Sequence, residues 1–457
     1  METNMPIAMI LGLHGVVPAL LYWGGLMAFL VAAFWRPRYG LYFLIPLLPL
    51  QTVRYRLHEL PLGEKFVDIM LLGVILGMIF RRDGTSFLKT PLNRFIAILA
   101  AFLYISLWHG SFYLGEPAPL NLQDPRFSDW KNYLVMPLVF FVVASAIREV
   151  RHIKILVLLM VASFLLVNRS FYNTIKDRNL THFTYDVRDA GPLGYAGDNG
   201  LGAFEAEFLV FLLALYAFDK KKLSKLAILA MCAFGGYCLM YTFSRGAYIA
   251  FLVGLGFLGV VKQRKWLLVM LVGLIGWQVF LPNSVQERIT MTYTEEGELE
   301  SSAQTRVQLW EDAMQLFHQN PILGTGFNTY SYLGRTEKYR DTHNYYLKVL
   351  VETGIVGLLV FLWLLWRMFR LGFRLFQTAE DPFLRSLGLG FAVMMVCAVA
   401  VNLFGDRWTF LQVNCFLWAL LGCVVRGQLI ADSTRRGSEA VVAVGSAAIP
   451  EGHPGLA

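Results

Sequence analysis

The chain has 457 residues, 56% of them hydrophobic and only 16% charged, with a formal net charge of +8. A soluble protein carries roughly a quarter of its residues as charges and could not hide this much apolar surface, so an ordinary soluble domain is excluded. The Lys and Arg residues sit in short clusters between apolar runs, which is the pattern of membrane loops and not of a nucleic-acid surface.

Apolar runs recur at 10–34, 39–51, 66–80, 92–108, 133–147, 153–167, 201–218, 223–241, 245–261, 266–281, 347–366, 383–403 and 410–428. A bilayer needs about 20 apolar residues per crossing helix. The runs therefore predict an all-α fold, a polytopic membrane helical bundle of about 12–13 transmembrane helices with a large, partly helical outward-facing loop. The first run has no basic segment before it and no small-residue cleavage site, and is expected to be a retained helix. If it is split or re-entrant, the number of crossings and the side of the N-terminus change with it.

Basic connectors occur at Arg36–Arg38, Arg81–Arg82 with Lys89, Arg148–Lys154, Lys220–Lys225, Lys262–Lys265, Arg367–Arg374 and Arg426–Arg436, that is, at every second connection. The positive-inside rule then gives one orientation throughout, with 52–65, 109–132, 168–200, 242–244, 282–346 and 404–409 facing outward. Residues 1–430 are expected to form the membrane domain and 431–457, with its Gly and Ser, a disordered cytoplasmic tail. Cys232, Cys238, Cys397, Cys415 and Cys423 all lie in apolar runs without metal-ligand spacing and read as small packing residues. No inverted repeat of the transporter kind is evident.

The long outward loop 282–346 is not low-complexity. Val307, Trp310, Met314 and Phe317 recur at helical spacing within 302–318, which predicts an amphipathic helix on the membrane or the bundle. Asn320-Pro321 ends it, Gly324-Thr325-Gly326 turns the chain, and a Tyr-rich stretch leads to His343-Asn344-Tyr345 at the mouth of the next apolar run.

An imidazole at the membrane's outer face suits a general base near neutral pH, or a simple helix cap. Arg245, in the outer turn Ser244-Arg245-Gly246, runs against the positive-inside trend. Its planar fork of donors matches phosphate oxygens, unless the side chain merely snorkels to the interface. Arg188 precedes a glycine-containing stretch, 191–200, where a second cation for a diphosphate or an ordinary loop charge are both open readings. Arg306 lies one turn from Trp310, facing the site or the lipid headgroups, and Asp406-Arg407 reads as a local ion pair. The chain has no P-loop, no dinucleotide fingerprint after a strand, no His-Glu-x-x-His and no Gly-x-Ser-x-Gly. No cofactor and no metal are expected.

Together these motifs resemble bacterial O-antigen ligases and the related O-antigen polymerases. The resemblance rests on His343-Asn344 followed by Gly354 and Gly357, on Ser244-Arg245-Gly246, on Arg306 with Trp310, and on the Asn-Pro-x-x-Gly-x-Gly run at 320–326. It spans roughly 185–430, while the N-terminal half agrees in hydropathy alone. Where relatives often carry Asn-Pro-Asn before the central span, this chain has Gly197-Asp198-Asn199-Gly200.

The resemblance implies a glycosyltransferase of the inner membrane with its active site facing the periplasm. It moves a glycan from undecaprenyl diphosphate to a sugar hydroxyl, inverting the anomeric centre and using no metal. It further implies catalytic roles for His343, Arg245 and Arg188, and substrate contacts from Arg306, Asn344, Tyr345 and Ser244. As a ligase the enzyme would use lipid A-core as acceptor, and as a polymerase another lipid-linked repeat unit. A flippase or exporter is the reading from a different class.

Overall fold

The computed structural model describes residues 16–80, 87–291, 301–334 and 341–447, and within them the side chains other than those of 301–303 and 437–447. The start of the first apolar run, Arg81–Arg82 and the tail beyond 447 lie outside the described residues. In chain order the helices are α1 (Val16–Phe34), α2 (Pro37–Leu47), α3 (Phe66–Phe80), α4 (Asn93–Tyr113) and α5 (Pro125–Ala146). Then come α6 (Val150–Ile175), α7 (Gly197–Phe218), α8 (Lys222–Tyr241), α9 (Arg245–Val261) and α10 (Lys265–Ile275). The last five are α11 (Asn283–Thr290), α12 (Ser301–Gln319), α13 (Tyr345–Thr378), α14 (Pro382–Val401) and α15 (Leu411–Ala447).

There is no β-strand among the described residues. The protein is an all-α polytopic membrane bundle. By length and composition, eight helices can cross a membrane: α1, α4, α6, α7, α8, α13, α14 and α15. The other apolar runs are also helical, but α2, α3, α9 and α10 are shorter and α5 carries Arg126, Asp129 and Lys131 in its first two turns. The last helix continues past residue 431, the expected start of the tail, to Ala447.

Burial sorts these helices. The apolar window of α14 is 78% buried and that of α15 83%, whereas α1 is 17% buried and exposes Leu20, Trp23 and Met27. A helix that is apolar all round belongs inside a bundle when its neighbours match its shape, and faces lipid when they do not. Since lipid is as apolar as leucine, tight van der Waals packing holds the centre together. There α7 lies against α9 and α14, with Phe204, Phe208 and Phe211 fully buried.

At one end of the bundle the basic connectors meet. Lys225 and Lys265 lie 5.1 and 4.9 Å from the Tyr216 ring centre, and Lys262 lies 4.5 Å from that of Phe218. The chain loops assigned outward by charge lie at the opposite ends of these same helices.

The predicted loop helix is present as α12, but its buried face is a different one. Ala313 and Leu316 are buried against Tyr330 and Val351, with Phe317 of the predicted stripe packed on the same cluster and Leu309 also buried, while Val307 and Trp310 are exposed. Both stripes have helical spacing, and the small Ala313 made the true one inconspicuous in the sequence. Trp310 instead donates its indole N–H to the Thr342 carbonyl at 3.0 Å.

The loop after α12 is locked into a break in α13. Gly354 there has φ +65° and ψ −170°, which frees backbone groups of the flanking turns. Thr325 N–H donates to Val351 O (2.9 Å), Gly326 N–H to Glu352 O (2.7 Å) and Ile355 N–H to Pro321 O (3.0 Å). A Cβ on Gly324 would sit 2.4 Å from the Glu352 carbonyl carbon, and one on Gly354 would sit 2.1 Å from Ile322 O. Only glycine fits either position, which explains why the two glycine motifs occur together.

Candidate active site

The lock just described holds the segment before α13. Asn344 caps that helix, its side chain accepting from Leu347 N–H at 3.2 Å. Asp341 Oδ1 accepts the His343 N–H at 2.7 Å and lies 3.3 Å from the ring Nδ1. His343 has φ +50°, a left-handed conformation that costs a non-glycine residue roughly 1 kcal/mol. The hydrogen bonds of Asp341, Thr342 and Asn344 offset that cost and fix where the imidazole stands.

A second wall is built around the start of α9. Asn199 Oδ1 accepts from Ser244 Oγ at 2.8 Å and from Arg188 Nη2 at 3.1 Å, and Arg188 is also ion-paired with Asp198. The sequence 197–200 thus positions Arg188 through side chains of its own. Arg245 opens α9 and donates to Met291 O at 2.8 Å. Arg288 of α11 donates to Phe243 O at 3.3 Å, with its guanidinium 4.8 Å from the Phe183 ring centre and 5.6 Å from that of Tyr185.

These walls enclose a cavity of about 470 Å³. Arg188, Arg245, Arg288, Arg306, Arg407 and His343 line it, and none of its described lining residues is a carboxylate. Ser244, Gly246 and Ala247 bring the first turn of α9 to the cavity, adding the positive end of a helix dipole. Val401 and Phe404, at the end of α14, give the cavity an apolar edge.

Burial lowers the His343 pKa below its ordinary value. Asp341 partly opposes this, and Arg407 and Arg306 reinforce it. The imidazole is therefore neutral at physiological pH. Burial also lowers the Arg188 and Arg407 pKa values, with Asp198 counteracting the effect at Arg188, but guanidinium groups remain charged throughout. The arrangement offers several fixed cations and one neutral base in a confined space, which suits a departing diphosphate and an incoming hydroxyl.

Five residues singled out from the sequence share this cavity: Arg188, Ser244, Arg245, Arg306 and His343. Arg306 faces it and not the lipid headgroups alone. Asn344 and Tyr345 do not line it. The first is a helix cap, and the second is buried with its ring against Phe361 at 5.1 Å. Asp406 and Arg407 do not form the expected pair, because the Asp406 carboxylate bonds Lys348 at 3.0 Å and Arg407 turns to the cavity. Arg288 and Arg407 are the residues that sequence reasoning missed. Each is an arginine in a loop that the charge pattern assigns outward, against the positive-inside trend that already marked Arg245.

Residues 226–362 match the family model described as O-antigen ligase. The match supports the O-antigen ligase/polymerase superfamily. That segment contains Arg245, Arg288, Arg306 and His343, while Arg188 and Arg407 reach the cavity from outside the matched stretch. A comparison with curated proteins found no match. The superfamily supports an O-antigen ligase or polymerase type of function on lipid-linked glycans, in a multi-pass membrane protein.

Proposed function

We propose that the protein is an O-antigen ligase of the bacterial inner membrane. It transfers a polysaccharide from undecaprenyl diphosphate to a sugar hydroxyl of lipid A-core at the periplasmic face. The observation that carries this reading is the convergence of five arginines, a helix N-terminus and a neutral histidine on one cavity.

The lipid diphosphate is a good leaving group once its developing charge is held. Arg188, Arg245 and Arg288 would bind its oxygens, as fixed donors in a water-poor site stabilise departing anions most strongly. The Nδ1 edge of the His343 ring lies 3.3 Å from Asp341 Oδ1, and the neutral tautomer that would serve as the base keeps its lone pair on Nε2. Nε2 takes the proton of the acceptor hydroxyl as its oxygen attacks the anomeric carbon. The new glycosidic bond forms as the bond to the phosphate oxygen breaks, with inversion. The isoprenoid tail would leave past Val401 and Phe404 into the bilayer, where its carbons are already at home. The guanidinium groups supply the cationic charge, so no metal or cofactor has a role.

His343→Ala should lower glycan transfer at least about 100-fold, the usual contribution of a general base, while the protein inserts at wild-type abundance. Transfer at the wild-type rate in membranes carrying that variant would overturn the proposal. In cells lacking the protein, full-length polymer left on its lipid carrier supports ligation, and single unpolymerised repeats point to polymerisation instead.

A further inference from the structure

A second cavity, of about 590 Å³, adjoins the first. His343 and Arg407 line the one, and their chain neighbours Asp341 and Asp406 line the other, so the partition between them is the two short segments that carry the candidate base and the Arg407 cation. Its chemistry is the reverse of its neighbour's. Among the described residues its lining has three aspartates, Asp129, Asp341 and Asp406, and one cation, Lys348, which Asp406 engages at 3.0 Å.

We infer that this second cavity is the acceptor subsite and takes a neutral glycan. The inference rests on the transferase reading above. A diphosphate would be repelled by the aspartates. Sugar hydroxyls are the opposite case, because carboxylates and amides take their hydrogen bonds and aromatic rings cover their C–H faces. Asp129 supplies such a group. Its Oδ2 already accepts from Asn328 Nδ2 and from the Tyr332 hydroxyl, both at 2.9 Å, which leaves Oδ1 to accept from a ligand. Phe327 and Phe410 supply the rings.

The wall is also rigid before any ligand arrives. Glu352 of α13 accepts the Asn328 N–H at 3.0 Å and the Tyr330 N–H at 3.2 Å, and Asn328 is held at φ +59°. A site ordered in advance loses little entropy on binding. A glycan bound on this side would extend its nucleophilic hydroxyl past the partition into the first cavity, where His343 and the lipid diphosphate would meet it.

The test uses the full chain in lipid nanodiscs, with a glycan on undecaprenyl diphosphate as donor and lipid-free core oligosaccharide as acceptor. Asp129→Asn should raise the acceptor KM about tenfold, the worth of one charge-assisted hydrogen bond, and leave the Kd for undecaprenyl diphosphate unchanged. Asn132→Trp, made at an exposed lining position, should fill the cavity and produce the same split without touching Asp129. A wild-type acceptor KM in both variants, or a weakened donor Kd in either, overturns the subsite. A wild-type chain that transfers glycan to no acceptor overturns the transferase reading itself, so the two failures are told apart.

Discussion

The two cavities have similar volumes, about 470 and 590 Å³, and share a thin partition, yet one is lined by five arginines and the other by three aspartates. Opposite charges placed so close together ordinarily collapse into ion pairs. Here they are kept apart, because Asp406 is engaged by Lys348 and Asp341 by the His343 backbone. On the proposed reading, the difference separates a leaving anion from a neutral nucleophile and sets the base between them. Glycosyl transfer needs both, and a single mixed-charge pocket would bind each of them worse.

The largest change should come from the element that both cavities lean on. The break at Gly354 receives the 320–326 loop, which leads into Phe327 and Asn328 on one side, while the helix it interrupts starts just after His343. Gly354→Ala places a Cβ 2.1 Å from Ile322 O in a backbone region nearly closed to other residues. Such strain costs on the order of 1–3 kcal/mol before the clash is counted. Thermal unfolding in detergent should show a clearly lower midpoint, with donor and acceptor functions lost together. A wild-type midpoint would mean that the lock does not hold the site.

A smaller and one-sided effect is expected from Arg245→Lys. The ammonium keeps the charge at the start of α9 but loses the planar fork that grips two phosphate oxygens at once. Affinity for undecaprenyl diphosphate should fall about tenfold, the worth of a lost bidentate charge-assisted contact. The acceptor KM should stay where it is, and titration of donor against acceptor in nanodiscs reads both. Equal losses on both sides would dissolve the contrast between the cavities.

The sequence made one cavity more legible than the other for a physical reason. Apolar run length and charge alternation report directly on burial in a bilayer, so each predicted run coincides with a helix even where that helix is short. Arg245 and His343 stand out because a charge on the outward side of a membrane protein needs a reason. Arg407 was hidden by the acid beside it, and only the three-dimensional structure reveals that Asp406 belongs to Lys348. The second cavity draws Asp129, Thr409 and, from the long loop 282–346, Asn328 and Asp341, none of which carries a motif of its own. No spacing rule connects them. Similarly, the true buried face of α12 depends on what packs against it, and two apolar stripes in one helix cannot be ranked without that partner.

The finest test of the partition is its proton. Burial holds the His343 pKa below its ordinary value of about 6.5, and Asp341 is the nearby acid pulling it upward, against Arg407 and Arg306. Between the folded and unfolded pKa values the folded chain binds fewer protons, so this histidine's contribution to stability is present above the unfolded value and is lost as pH falls toward the folded one. Transfer follows the same proton. The rate should be level from about pH 6.5 upward, where the imidazole is neutral, and fall on an acid limb below that range. Asp341→Asn removes the upward pull, so the limb should move to still lower pH. The same substitution alters the second cavity, and its effect there belongs to the acceptor KM, whereas the limb is read from kcat at saturating acceptor. A limb that moves to higher pH in Asp341→Asn would mean that the carboxylate does not act on the imidazole across the partition, and that His343 is not the group whose ionisation limits transfer.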